Sequence, residues 1–163
     1  MTQKTEKTYQ DFSQYLSELN SLQEILGLLG WDREVLMPAN AASSRGAQVG
    51  VLTGVYHEKS THPKLGELLH QLESSLGELD PWQQANVYEA RRNYDKAVKI
   101  PASLAKAIAE LEVKAHGAWV ASRTASDFSL FADALSETIG LKQQKAKCLN
   151  SEEDVYTTLL DDY

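Results

Sequence analysis

The sequence predicts an all-α protein, an antiparallel bundle or array of about six helices. Three observations predict it. Apolar residues recur at three and four positions over long stretches, the period of one helix face. No alternating apolar and polar run and no Asn-Gly or Asp-Gly hairpin signal appears. Pro38, Pro63, Pro81 and Pro101 cut the chain into segments of helical length with short connections, which favour antiparallel neighbours. The absence of a repeat of fixed period argues against a solenoid.

Residues 1–8 are polar and Lys/Thr-rich and read as a flexible N-terminus, followed by a single helical domain over 9–163. The first helix starts at Tyr9. Tyr9, Phe12, Leu16, Leu19, Gln23 and Leu26 form one row, and Tyr15, Leu22, Ile25 and Leu29 a second, so a wide face is buried. Pro38 cannot continue it and pushes Met37 out of the helical region, placing a turn between Gly30 and Ala41. Trp31 and Met37 are then expected as large apolar plugs at a corner.

A second helix follows over Ala41–Tyr56, with Val49, Leu52 and Val55 apolar and Ala42, Gly46, Gly50 and Gly54 in one line. Each helical Gly costs about 1 kcal/mol relative to Ala. The row implies close passage of another helix, with the first helix and its Gly27 and Gly30 as the expected partner. The alternative is self-association into a homodimer through the same groove; Arg45 excludes its membrane version.

Thr61-His62-Pro63 punctuates the chain. A short third helix, Lys64 to about Ser75, carries Leu65, Leu68, Leu69, Leu72 and Leu76, and Gly77 ends it. Asp80-Pro81 is an N-cap followed by a first-turn proline. The fourth helix bears Trp82, Ala85 and Tyr88, with Val87, Ala90, Tyr94, Ala97 and Val98 on a neighbouring row, up to Pro101. In the fifth, Leu104, Ile108, Leu111, Ala115, Trp119 and Ser122 form a seam at helical spacing. The sixth runs from about Phe128 to Leu149 through Phe131, Leu135, Ile139 and Ala146; Ser151–Asp154 breaks it and Val155–Leu160 begins another element.

The 163 residues match one domain, and the net charge of −7 without a Lys/Arg run argues against nucleic acid as a partner. Cys148 is alone, so no internal disulfide is possible, and no basic-then-apolar leader pattern opens the chain. A cytoplasmic location is the expectation. No apolar run approaches the roughly 18 residues of a membrane span.

His57-Glu58-Lys59-Ser60-Thr61-His62 approaches a zinc-binding His-Glu-x-x-His but is one residue too long. Histidines four apart lie about 40° apart around a helix and five apart about 140°, and Pro63 drives His62 to an extended backbone. Glu67-x-x-His70 is a single copy of a spacing that di-iron bundles use twice. His116 reads as a packing histidine and Cys148 as inert; Glu110, Glu112, Asp161 and Asp162 read as solvated carboxylates. No Gly-x-Ser-x-Gly elbow, phosphate loop or paired Cys-x-x-Cys is present. The residues alone assign neither an active site nor a metal site.

Trp31-Asp32-Arg33-Glu34-Val35-Leu36-Met37-Pro38, then Arg45-Gly46-Ala47-Gln48, His57-Glu58 and Thr61-His62-Pro63 resemble, in order and spacing, the amino-terminal region of the M32 metallocarboxypeptidases, the carboxypeptidase Taq family. Tyr94 before Ile100-Pro101, Trp119, and Phe128 to Leu135 continue the match. Gly46 stands where the family often has Ala, and His62 where it often has Asp. The resemblance implies an all-α enzyme that removes C-terminal residues from peptides, using zinc or cobalt held downstream on a His-Glu-x-x-His helix and activating a bound water. None of those ligands is matched here, so no cofactor and no catalytic residue is expected in this chain. It implies a region covering the substrate cleft, inactive alone, whose partners are the missing catalytic domain and a peptide, with Asp161-Asp162-Tyr163 at the point of continuation. Trp31, Asp32 and Arg45 are the candidates for holding the corner or shaping the cleft, and Gly46, Gly50 and Gly54 for close packing or self-association. The competing reading is a free-standing helical interaction module.

Overall fold

A computed structural model describes residues 2–160. Met1 and Asp161-Asp162-Tyr163, where continuation into a catalytic part was expected, lie outside the described residues. The fold is all-helical: α1 (Gln3–Val35), α2 (Ala42–Ser60), α3 (Pro63–Glu73), α4 (Pro81–Lys99), α5 (Ala102–Ala125), α6 (Ser129–Leu149) and the short α7 (Val155–Leu160), with 3₁₀ turns at Ala39–Ala41 and Leu76–Glu78. Contacts group the chain into two compact units, one built from α1 up to Glu24 together with Tyr56–Lys99, the other from Ile25–Val55 together with the chain from Ile100 onward.

In the first unit α1 begins at Gln3, earlier than the Tyr9 expected from periodicity. Polar side chains start it: the Thr2 hydroxyl accepts from the Thr5 amide at 3.2 Å, and Thr5 is buried. His62 has the extended backbone that Pro63 imposes and caps α3, its Nδ1 accepting from the Lys64 amide at 3.1 Å. α3 then buries Leu65, Leu68, Leu69 and Leu72 against α4, while Leu76, expected on the same face, sits exposed on the following 3₁₀ turn and Leu79 is buried instead. Asp80 and Gln83 exchange main-chain to side-chain bonds of 2.9 and 3.0 Å, a reciprocal cap opening α4. Of the two rows on α4, the one with Val87 and Ala90 enters the core; Trp82 and Tyr88 face solvent. Phe12, Leu69, Leu72 and Val87 are almost wholly removed from water, with Tyr15 and Leu19 of α1 beside them. The Tyr15 hydroxyl donates to the Lys59 carbonyl at 2.8 Å, and the Lys59 ammonium lies over the Tyr15 ring and pairs with Glu18 at 2.5 Å.

The second unit is centred on α5 packed along α6, with α7 against α6. The turn between α5 and α6 forms because Ser126 takes a left-handed conformation (φ 53°) and the Asp127 amide reaches back to the Ser122 carbonyl at 3.0 Å. The Asp127 carboxylate then caps α6 through the Ser129 hydroxyl and amide, and these bonds hold it below its ordinary pKa. Asp154 caps α7 through Thr157 with the same effect. On the expected α5 seam Leu104, Leu111 and Ser122 are buried but Trp119 is about half exposed; Val113, on an adjacent row, is buried more deeply. Ala134 and Ala146 are the buried apolar positions of α6.

Candidate functional site

The corner after Trp31 belongs to the second unit. α1 continues through Trp31 and ends at Val35, so the break falls inside the expected interval but leaves most of the motif helical. Its last turn closes on one carbonyl: the main chain of Asp32 accepts from both Leu36 (2.9 Å) and Met37 (2.8 Å), and Pro38 then takes an extended backbone leading into the 3₁₀ turn.

Arg45 fastens this corner. Its Nη1 lies 2.5 Å from the Asp32 carboxylate and 3.1 Å from the Leu29 carbonyl, and its Nε donates to Gln48 Oε1 at 3.1 Å. One planar guanidinium thus ties the first turns of α2 to the end of α1, in a partly shielded setting where charged hydrogen bonds count for more than in open water. Of the three corner candidates, Asp32 and Arg45 are in contact. Trp31 does not join them: its side chain is 54 % exposed, so the expected plug is a surface residue, while Met37 is half-buried. Successive apolar residues on this end of α1, Ile25, Leu28, Trp31 and Val35, are spaced to share one face and all are exposed.

The glycine row divides. A Cβ at Gly50 would stand 2.5–2.9 Å from the Glu110 side chain of α5, and one at Gly46 would stand 3.7 Å from the Glu110 carbonyl. Gly54, Gly27 and Gly30 have open space. The close neighbour is therefore α5, not the expected Gly27–Gly30 stretch of α1, because the long Glu110 side chain needs the room.

Beside this contact lies an open hollow of about 820 Å³ between the end of α1, the start of α2, and α5. Its floor includes Ala42, Gly46, Val113 and Gly117. At its rim the Glu34 carboxylate meets Arg33 Nη2 at 2.8 Å and His116 Nε2 at 2.9 Å, with the His116 ring 5.9 Å from that of Trp119. His116 thus packs by Trp119 with its Nε2 in contact with the Glu34 carboxylate; no local signal linked it to Glu34, which lies on a different helix. Such a hollow can seat an apolar group flanked by polar ones, but it supplies no nucleophile aligned with a base.

The other candidate groups stay apart. His62 is spent as a helix cap, and Glu67 and His70 are exposed on α3. Cys148 is a half-buried free thiol on α6. Among the described residues no group of three or more His, Cys, Asp or Glu side chains could hold a metal ion, so they do not fit a catalytic zinc or cobalt. No helix among them is long and apolar enough to cross a membrane.

Residues 11–163 match the family model described as carboxypeptidase Taq (M32) metallopeptidase. The chain is similar to thermostable carboxypeptidase 1 of Thermus thermophilus, 30 % identical over 169 residues that take in 97 % of this chain and 33 % of that one. A solved structure described as BsuCP superposes with a TM-score of 0.91 at 26 % identity, covering 96 % of this chain and 32 % of that one. Trypanosoma cruzi metallocarboxypeptidase 1 gives a TM-score of 0.73 at 31 % identity, covering 96 % and 32 %. The chain spans about a third of the length of the curated relatives it matches.

Proposed function

Because the chain belongs to the carboxypeptidase Taq (M32) metallopeptidase family, of whose members it represents a portion, we propose that it forms a wall of the peptide-binding cleft in a metal-dependent carboxypeptidase and is inactive by itself. The observation that carries this reading is the pairing of a family match along nearly the whole chain with described residues that do not fit a catalytic metal. The metal, zinc or cobalt, and the groups that activate water belong to the remaining part of the fold. This chain contributes shape: the Asp32–Arg45 clamp holds the Trp31 corner in place, and the uncovered row from Ile25 to Val35 offers an apolar surface for the catalytic part to pack against.

The test uses peptides with free C-termini, added zinc or cobalt, and a chelator control. The expected result is no release of C-terminal residues by this chain at any metal concentration; release that the chelator abolishes contradicts the proposal. The alternative, a self-associating helical module, is favoured by the same exposed row. It predicts a stable dimer of the isolated chain at micromolar concentration in sedimentation, weakened by Leu28→Glu.

A further inference from the structure

The first unit carries a groove of about 590 Å³, separate in its residues from the corner described above, between α1 and α4 with Tyr56 and Ser60 at its edge. Its floor is apolar, from Leu16, Leu65 and Ala90. Its walls hold uncharged hydrogen-bonding side chains, and the one ionisable acid or base along it besides the tyrosines, Glu89, is occupied by Arg92 at 3.1 Å. Asn20 and Asn86 already bond to Glu24 and Tyr9. Gln23, Tyr56, Asn93 and Tyr94 do not: among the described residues no hydrogen bond engages any of these four side chains, and all line the groove.

Tyr94 is positioned with some care. A Cβ at Gly66 of α3 would lie 2.7 Å from its hydroxyl and 3.0 Å from Cζ, so that helix gives up a side chain where the phenol passes. Arg91 lies 5.6 Å from the ring centroid and is itself clamped by two bonds to Glu73, 2.6 and 3.0 Å. Burial raises the Tyr56 pKa, which keeps that hydroxyl a protonated donor.

We propose that this groove binds the main chain of an extended peptide, with Gln23, Tyr56, Asn93 and Tyr94 bonding to its amides. Neutral donors and acceptors above an apolar floor match a backbone whose carbonyls and N–H groups alternate, and they select no particular charge. The lining of α1 from Ser13 to Gln23 extends over about 15 Å, room for roughly four to five extended residues. The inference rests on the carboxypeptidase reading for its choice of peptide: an exopeptidase needs to hold the body of many different substrates without reading their side chains.

The experiment is nuclear magnetic resonance titration of the full chain with an N-acetylated, C-amidated eight-residue peptide of Ser, Gly, Asn and Ala, which has no charge. Expected are shifts of the Gln23 and Asn93 side-chain amides and of the adjoining α1 and α4 backbone. Alternate N-methylation of the peptide, and the double variant Asn93→Ala with Tyr94→Phe, should each weaken binding about tenfold, the equivalent of one or two net neutral hydrogen bonds. The variant keeps the Tyr94 ring in place, so the unit stays folded. Absence of groove shifts at millimolar peptide, equal binding of the N-methylated peptide, or tighter binding of maltohexaose would each overturn the proposal. Binding is read without turnover. A chain that binds the peptide in this groove yet releases C-terminal residues in a chelator-sensitive way leaves this inference standing and removes the functional reading; a chain that neither releases them nor binds does the reverse.

Discussion

The two units bury their apolar residues to different degrees. The first closes a core around Phe12, Leu69, Leu72 and Val87, each almost wholly out of water. The second leaves Ile25, Leu28, Trp31 and Val35 on α1, Val51 and Val55 on α2, and Trp119 and Val120 on α5 exposed, and its buried apolar positions are fewer and smaller. Apolar burial supplies most of the stabilisation of a folded chain, so the first unit, although it too leaves Trp82 and Tyr88 in solvent, holds the larger share of the buried core. The chain spans about a third of the length of the relatives it matches, and the proposed packing of a catalytic part on this row would cover it.

Large-to-small substitutions should have the largest effect. Phe12→Ala should cost about 3–5 kcal/mol in denaturant unfolding, whereas Trp31→Ala, despite removing a larger side chain, should cost about 1 kcal/mol. Equal losses would remove the distinction between the units. Next in size is the corner: Arg45→Ala strips charged hydrogen bonds from Asp32 and from the Leu29 carbonyl and should cost about 1–3 kcal/mol, while Asp32→Asn, which leaves the carbonyl bond, should cost less.

The glycine row sharpens the picture within the second unit. Gly54→Ala meets open space and should stabilise by roughly 0.5–1 kcal/mol through helix propensity. Gly50→Ala makes the Glu110 side chain swing aside and should gain less than Gly54→Ala in the same measurement, with truncation of Glu110 restoring the full gain. The smallest effect is acid sensitivity. Asp127 and Asp154 have folded pKa values below the ordinary 3.8, so their contribution is complete above that value and lost as pH falls from it through the folded values. Thermal scans between about pH 5 and about pH 2 should show a smaller fall for Asp127→Asn, which caps without titrating, than for the parent.

Much of this was legible in the sequence. The helices appear where period and proline punctuation put them, because their stop and start signals are local: Pro63, Asp80-Pro81 and the Pro38 break act through backbone chemistry within a few residues. Periodicity alone could not tell which apolar row of α4 enters the core, since the Trp82–Tyr88 and Val87–Ala90 rows are both helical and only tertiary packing selects one. Trp31 misled for a similar reason: size and hydrophobicity suggest burial, yet nothing among the described residues covers it. Asp32 and Arg45 lie on either side of one helix-to-helix turn, so their closeness follows from a local break in the chain. The pairing of Glu34 with His116, and of Gly50 with Glu110, joins elements distant in sequence, and neither partner carries a local mark.

The most direct test of the difference between the units is native-state hydrogen exchange along α1, a single helix that contributes to both. Amides around Phe12 to Leu19 should show strong protection, close to that of global unfolding, with a clear fall in protection from Leu28 to Val35. Uniform protection along the whole helix would contradict it, because the second unit would then be as well closed as the first.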